Sequence, residues 1–166
     1  VLHYYYQQQQ TGQLSEQAAK HHAAETIRQL RYDQREYFWI NDTQHRVVMH
    51  PIKPEFEGKD QSNLKDPHGL AIYREVVKAA LRHPNGDFVH YVWFKPNETI
   101  PTAKVSFVRL FAPWQWVVGT GIYLDDPAFF QVDGKARTEK AARDFRYHFF
   151  KKVQAFIACI LCINMI

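Results

Sequence analysis

Cysteine is almost missing from this chain. Only Cys159 and Cys162 occur, and residues 1–158 have none. The pair forms a CxxC, a spacing used by redox and metal motifs, but no second CxxC and no nearby histidine accompany it. Within FIACILCINMI both read as small apolar residues of a hydrophobic helix, and they leave the redox compartment open. The common catalytic signatures are also missing: there is no GxSxG, no HExxH, no GxxxxGK[ST], and no GxGxxG at a strand-to-helix junction. Gly119-Thr120-Gly121 lies inside a strand pattern, where glycine marks close backbone approach or relief of crowding beside Trp114 and Trp116. Blocks of like charge are absent too. Lys plus Arg number 21 against 17 Asp plus Glu, but the basic residues are scattered, so no nucleic-acid partner is expected. The 9 histidines share no HxxxH spacing, and a zinc site would need converging cysteines or carboxylates. No metal, no cofactor and no enzymatic activity are expected.

Aromatic residues are abundant: 12 Phe, 9 Tyr and 4 Trp. That much apolar surface offsets ordering entropy and excludes a disordered chain. The 166 residues suffice for one domain with a sizeable core. After Lys151-Lys152 the chain runs VQAFIACILCINMI without a charge. A membrane helix needs about 20 such residues, so this stretch reads as the first part of one. No start methionine and no signal-peptide pattern occur at VLHYYYQQQQ. The expectation is an extramembrane domain cut from a longer protein, leading into a membrane helix.

Residues 4–32 lack proline and are rich in Gln, Ala, Glu and Leu, with Ala19, Ala23, Ile27 and Leu30 at helical spacing. They predict one long helix, with a break possible at Gly12, which costs about 1 kcal/mol relative to alanine. Tyr37 to Asn41 and Arg46 to His50 predict a hairpin around Asp42-Thr43-Gln44-His45. Pro51 and Pro54 end the second strand, and residues 52–69 read as loop. Tyr73, Val76, Val77, Ala80 and Leu81 predict a short amphipathic helix, capped by Asp66 or a neighbour and ended by His83-Pro84-Asn85-Gly86. Strands follow at Asp87 to Lys95, Ala103 to Phe111 and Trp116 to Leu124, then helix over 128–152 with Pro127 at its start. The class is α+β: five antiparallel strands with both sheet faces covered, a long N-terminal helix and a C-terminal helix.

Three clusters carry candidate chemistry. Lys53 to Asp60 read as a solvated loop, while His50 ends a strand where a pocket mouth is expected. Asp125-Asp126 fit helix capping better than acid-base work. In the meander, Tyr91 and Trp93 share one strand face, and Lys104 and Ser106 share one face of the next. A lysine buried there needs an anionic partner, which a small carboxylate would supply together with tyrosine and indole donors. The alternative is that Lys104 snorkels to solvent; spacing does not choose between them.

Three stretches, RYDQREYFWINDTQHRVVMHPIKPEFEGKDQSNLKDPHG, FVHYVWFKP and AKVSFVRLFAPWQWVVGTGIYLDD, then acquire a common meaning. In this order they resemble the single Cache domain, type 2, a sensor domain of bacterial chemoreceptors and sensor kinases, over residues 14–130. The resemblance implies a PAS-like antiparallel sheet behind a long N-terminal helix. It implies a domain at 1–130, a juxtamembrane helix at 131–152 and a truncated membrane helix at 153–166. It further implies a periplasmic location at the bacterial inner membrane, a homodimer, and a C2 to C3 carboxylate ligand such as acetate, propionate, pyruvate or lactate. The pocket residues it implies are Tyr37, Trp39, Met49, His50, Tyr91, Trp93, Lys104 and Ser106, with Lys104 on the carboxylate and His50 a hydrogen-bond donor. A His-Pro-Asn-Gly turn at 83–86 and an extended loop at 97–99 depart from the family pattern at the pocket rim. Two rival readings are a docking domain without a small ligand and a hydrolase using His50 with Asp60 or Asp66; the latter has no evident nucleophile.

Overall fold

The computed structural model describes residues 1–32, 36–95 and 98–125, with Lys151, Ala155, Ile157 and Ile160 beyond them. The expected helix over 128–152, the cysteines, Asp126 and the 153–166 membrane segment therefore fall largely outside the described residues. Among the described residues no helix is long and apolar enough to cross a membrane.

The N-terminal segment is two helices rather than one: α1 (Leu2–Gln10) and α2 (Glu16–Gln29). Gly12 takes φ +74°, a left-handed conformation that glycine adopts without steric cost. Ser15 then restarts the helix, its hydroxyl accepting the Ala18 N–H at 3.1 Å. The end of the expected helix is instead a short strand, β1 (Arg31–Tyr32).

Five further strands follow the aromatic pattern: β2 (Glu36–Asp42), β3 (Val47–Met49), β4 (Asp87–Phe94), β5 (Pro101–Phe111) and β6 (Trp116–Tyr123). All pairings are antiparallel, in the order β1-β2-β6-β5-β4, with β3 also on β2. The β2–β3 turn is held by Asp42, whose Oδ1 accepts the N–H groups of Gln44 (2.9 Å) and Arg46 (2.8 Å). Helix α3 (Ile72–Arg82) has the strongest apolar stripe, burying Ile72, Tyr73, Val76, Val77, Ala79 and Ala80. Its N-cap is Ala71, not Asp66.

Strand alternation sorts the sheet into two faces. Phe38, Ile40, Phe107, Phe111, Trp116 and Val118 face α1 and α2, and Ile157 and Ile160 join this core. Tyr37, Trp39, Tyr91, Trp93, Val108, Val117 and Tyr123 face α3. The result is three layers, with helices on both faces of one sheet.

Candidate functional site

The α3 face contains a small cavity. Tyr37 and Trp39 come from β2, His50 from the residue after β3, Tyr91 and Trp93 from β4, and Ile72, Tyr73 and Val76 from α3. The empty space among them is about 250 Å³, counting the part continuous with solvent. Behind this lining runs a row across three strands, Tyr91–Lys104–Tyr123. Lys104 is 1% exposed. Its Nζ donates to the Tyr37 hydroxyl at 3.1 Å and lies 4.4 Å from the Tyr37 ring centroid, 4.7 Å from that of Tyr123 and 5.7 Å from that of Trp39. Among the described residues no carboxylate forms an ion pair with it. Snorkelling, left open by the strand spacing, is thus excluded. Burial pulls the ammonium below the ordinary lysine value, partly opposed by Tyr91 and Glu36.

Two glycines make room for this arrangement. Gly119 pairs with Trp39 and Gly121 with Ser106. A Cβ at Gly119 would overlap the Trp39 indole, and one at Gly121 would overlap the Ser106 hydroxyl. The crowding that Gly119 relieves comes from Trp39, not from Trp114 or Trp116. Ser106 is fully buried and lies 2.9 Å from the Tyr91 hydroxyl. The Trp39 indole N–H is already committed to Asn41 Oδ1 at 3.1 Å, so Trp39 contributes a wall and not a free donor.

His50 faces the cavity. Its ring centroid lies 5.2 Å from that of Tyr37 and 6.3 Å from that of Trp93. Nδ1 accepts the backbone N–H groups of Ile52 (3.3 Å) and Lys53 (3.0 Å), which leaves the proton on Nε2 as a donor. Burial, then the charges of Lys104 and Lys53, push its pKa down to about 3, so the ring is neutral at ordinary pH. Burial raises Tyr37 to about 12, and Tyr73 and Tyr91 also rise for the same reason. The wall is therefore neutral and rich in hydroxyl and imidazole donors.

Met49 departs from expectation: it packs in the core under α1 and α2. The cause is a bulge. Asn41 pairs with Val47, but Ile40 pairs with Met49, so Val48 is extra and Met49 follows Ile40 to the other face. Asp66 is a clasp rather than a cap. Its Oδ1 accepts the N–H groups of His68 and Leu70 at 2.9 Å, and its Oδ2 accepts that of Val92 at 3.1 Å, tying the loop to β4 between Tyr91 and Trp93. Burial raises the Asp66 carboxyl, but those three N–H groups outweigh it and hold it below the usual range. The sequence reading missed Ile72, Tyr73, Val76 and Tyr123. Period-two alternation from Gly119 and Gly121 could have exposed Tyr123; the α3 residues carried only a core-stripe signal. Among the described residues no three His, Cys, Asp or Glu side chains converge as metal ligands.

An antiparallel sheet with helices on both faces and an aromatic pocket on one side defines the architecture of a ligand-sensor domain. The model of the single Cache domain 2 family matches residues 1–129, and the chain belongs to that family. It is 43% identical over 126 residues to the methyl-accepting chemotaxis protein McpP of Pseudomonas putida, covering 76% of this chain and 23% of that protein. It is 34% identical over 111 residues to the sensor histidine kinase MctS of Rhizobium johnstonii, covering 67% of this chain and 24% of that protein. The chain thus spans about a quarter of the length of these relatives. Among solved structures, a Cache chemosensory domain described for carboxylic acid recognition is 40% identical with a TM-score of 0.73, covering 75% of this chain and 84% of that one. A periplasmic sensor domain of a chemotaxis protein is 42% identical with a TM-score of 0.71, covering 75% of this chain and 85% of that one.

Proposed function

We propose that this chain is the periplasmic sensing part of a transmembrane chemoreceptor or sensor kinase, and that it binds a C2 to C3 carboxylate beside Lys104. The observation that carries the reading is a fully buried lysine behind the cavity lining, its ammonium against a tyrosine hydroxyl and three aromatic rings and without an ion pair among the described residues. An ammonium so placed is costly without an anion, and a carboxylate in the cavity supplies one. The ligand takes the Lys104 ammonium and the His50 Nε2–H, and the aromatic walls limit its acyl tail to one or two carbons. Tyr37 lines the cavity and also takes one N–H of Lys104, and in this reading the ligand carboxylate takes the place of the Tyr37 hydroxyl on the ammonium. That exchange gives the two states different contacts with the ligand, which any conformational signal requires. Tyr123, over which Lys104 lies, leads directly to Asp125, which Lys95 holds at 2.8 Å, and so toward the terminal segment.

In this reading residues 1–130 form the sensor, 131–152 a juxtamembrane helix and 153–166 the start of a membrane helix. The receptor sits in the bacterial inner membrane as a homodimer, and its output module lies beyond this chain. A concave aromatic cavity beside a buried ammonium supports sensing over docking of a protein partner.

The test is a thermal-shift series with acetate, propionate, pyruvate, lactate and succinate on the wild type and Lys104→Met. At a ligand concentration about 100-fold above Kd, binding adds roughly 2.7 kcal/mol, a rise of roughly 5–10 °C for a domain of this size. The C2 and C3 acids are expected to shift the wild type and leave Lys104→Met unmoved. No shift with any acid, or equal shifts in both proteins, would overturn the reading.

A further inference from the structure

His50 is held by a residue that does not itself line the cavity. Glu57 follows a short 3-10 turn, Pro54–Phe56, and its Oε1 accepts the His50 backbone N–H at 2.7 Å. The same carboxylate receives a two-pronged bond from Arg28, Nη1 to Oε1 at 2.6 Å and Nη2 to Oε2 at 3.0 Å. Arg28 stands in the last turn of α2, where its Nε also bonds Glu25 at 3.0 Å. Helix α2 covers one face of the sheet, and His50 lines the cavity on the other. The Arg28–Glu57 pair therefore passes around the β3 edge and joins the two layers.

Among the described residues the other ion pairs do not link α2 to the pocket layer. Lys20–Glu16 and Lys78–Glu75 stay within single helices, and Lys53–Glu55 stays within the loop. Arg28 and Glu57 are both about three-quarters buried, and paired two-pronged bonds fix direction as well as distance. The loop around Glu57 is itself anchored, with the Gly58 N–H on Val47 O at 2.8 Å and the Val47 N–H on Lys59 O at 3.0 Å. Motion of Arg28 is thus passed to the His50 backbone with little slack.

We propose that Glu57 is a positioning residue of the pocket, and that the Arg28–Glu57 pair couples the last turn of α2 to His50, so that pocket occupancy and the setting of α2 depend on each other. The inference rests on the binding reading above. Coupling of this kind is reciprocal: a change in α2 must alter the pocket as much as a ligand alters α2.

The experiment measures residue-resolved amide exchange by NMR on the full chain, with acetate titrations alongside. Arg28→Gln is expected to speed exchange of the His50 amide by about tenfold, as loss of one well-held hydrogen bond would. Amides of β5 and β6 and the Lys20→Gln control should stay unchanged. Arg28→Gln should also weaken acetate binding by roughly three- to tenfold. The charge swap Arg28→Glu with Glu57→Arg restores an ion pair but gives the His50 N–H no acceptor. A positioning role therefore predicts a recovered melting temperature with the His50 amide still unprotected; recovery of both would mean a merely structural pair. An unchanged His50 amide in Arg28→Gln, uniform acceleration across the sheet, or acetate affinity within twofold of wild type would overturn the proposal. If the wild type binds no carboxylate, the binding reading falls, and the coupling still stands or falls on the His50 exchange.

Discussion

On the α1/α2 face of the sheet, Phe38, Ile40, Phe107 and Val118 meet Leu2, Ala19, Ala23 and Ile27 in an apolar core. On the α3 face, one residue along the same strands, stand Tyr37, Trp39, Lys104 and Ser106, with His50, Tyr73 and Tyr91 beside them. The first face is mainly apolar, its buried Thr120 hydroxyl satisfied by Tyr32 and the Tyr37 carbonyl. The second buries an ammonium, an imidazole and several hydroxyls, each of which loses hydration that the protein only partly replaces. Because side chains alternate with period two, a single set of strands holds both, and the Arg28–Glu57 pair links the two layers around the β3 edge.

Substitutions on the two faces should separate accordingly. The largest effect belongs to the apolar face: Phe38→Ala is expected to cost about 3–5 kcal/mol in urea unfolding. Where the variant is still folded, its acetate affinity should stay within about twofold of wild type, since Phe38 faces away from the cavity and its loss leaves the Arg28–Glu57 link in place. A comparable loss of affinity would show that the faces are coupled beyond the Arg28–Glu57 pair.

Acid should act through the other face. The folded pKa of His50 is about 3 against an unfolded value of 6.5. Between those values the unfolded chain binds a proton that the folded chain excludes. Stability is therefore lost as pH falls through that window, by up to about 1.4 kcal/mol per pH unit. His50→Asn should flatten this slope, and Phe38→Ala should leave it intact. Glu57 and Asp66 have depressed pKa values and add losses at the acid end, so the His50→Asn difference curve is the quantity to measure. A slope unchanged by His50→Asn would remove histidine burial as its cause.

The smallest effect has the opposite sign. Lys104→Met removes a buried cation that forms no ion pair among the described residues while keeping an unbranched apolar stem, and should raise ligand-free stability by about 1–2 kcal/mol. Calorimetry of the two proteins without ligand measures it. A fall instead would mean that the contacts of Lys104 with Tyr37, Trp39 and Tyr123 outweigh its desolvation.

Much of this was legible from local pattern. The β-prone aromatic runs marked the five main strands, and the turn chemistry of Asp42 and of His83 to Gly86 marked two of their boundaries. Alternation put Tyr91 with Trp93, and Lys104 with Ser106, on shared strand faces, but left open whether Lys104 is buried or snorkels. Other features hid because their causes are not local. The helix over residues 4–32 broke at a glycine whose left-handed conformation the composition only permitted. Met49 changed face through a one-residue bulge that no propensity marks. Glu57 read as part of a solvated loop, and only its contacts with Arg28 and the His50 N–H distinguish it from Glu55. Asp66 looked like a helix cap because a carboxylate before a helix is suited to that role; the partners it meets are instead N–H groups of its own loop and of β4.

The sequence by itself determined the alternation that assigns strand residues to two faces, and the residue types available to each. It also determined family membership, because the order of motifs survives in the linear chain. Only the tertiary structure decided that Lys104 is enclosed, that His50 turns toward the cavity, and that α3 closes it with Tyr73. Those outcomes depend on which elements pack together, and packing is set by contacts between residues far apart in sequence. Lys104 and Tyr37 are 67 positions apart and share one hydrogen bond. No local spacing encodes that meeting; the register of β5 on β6 and β6 on β2 does.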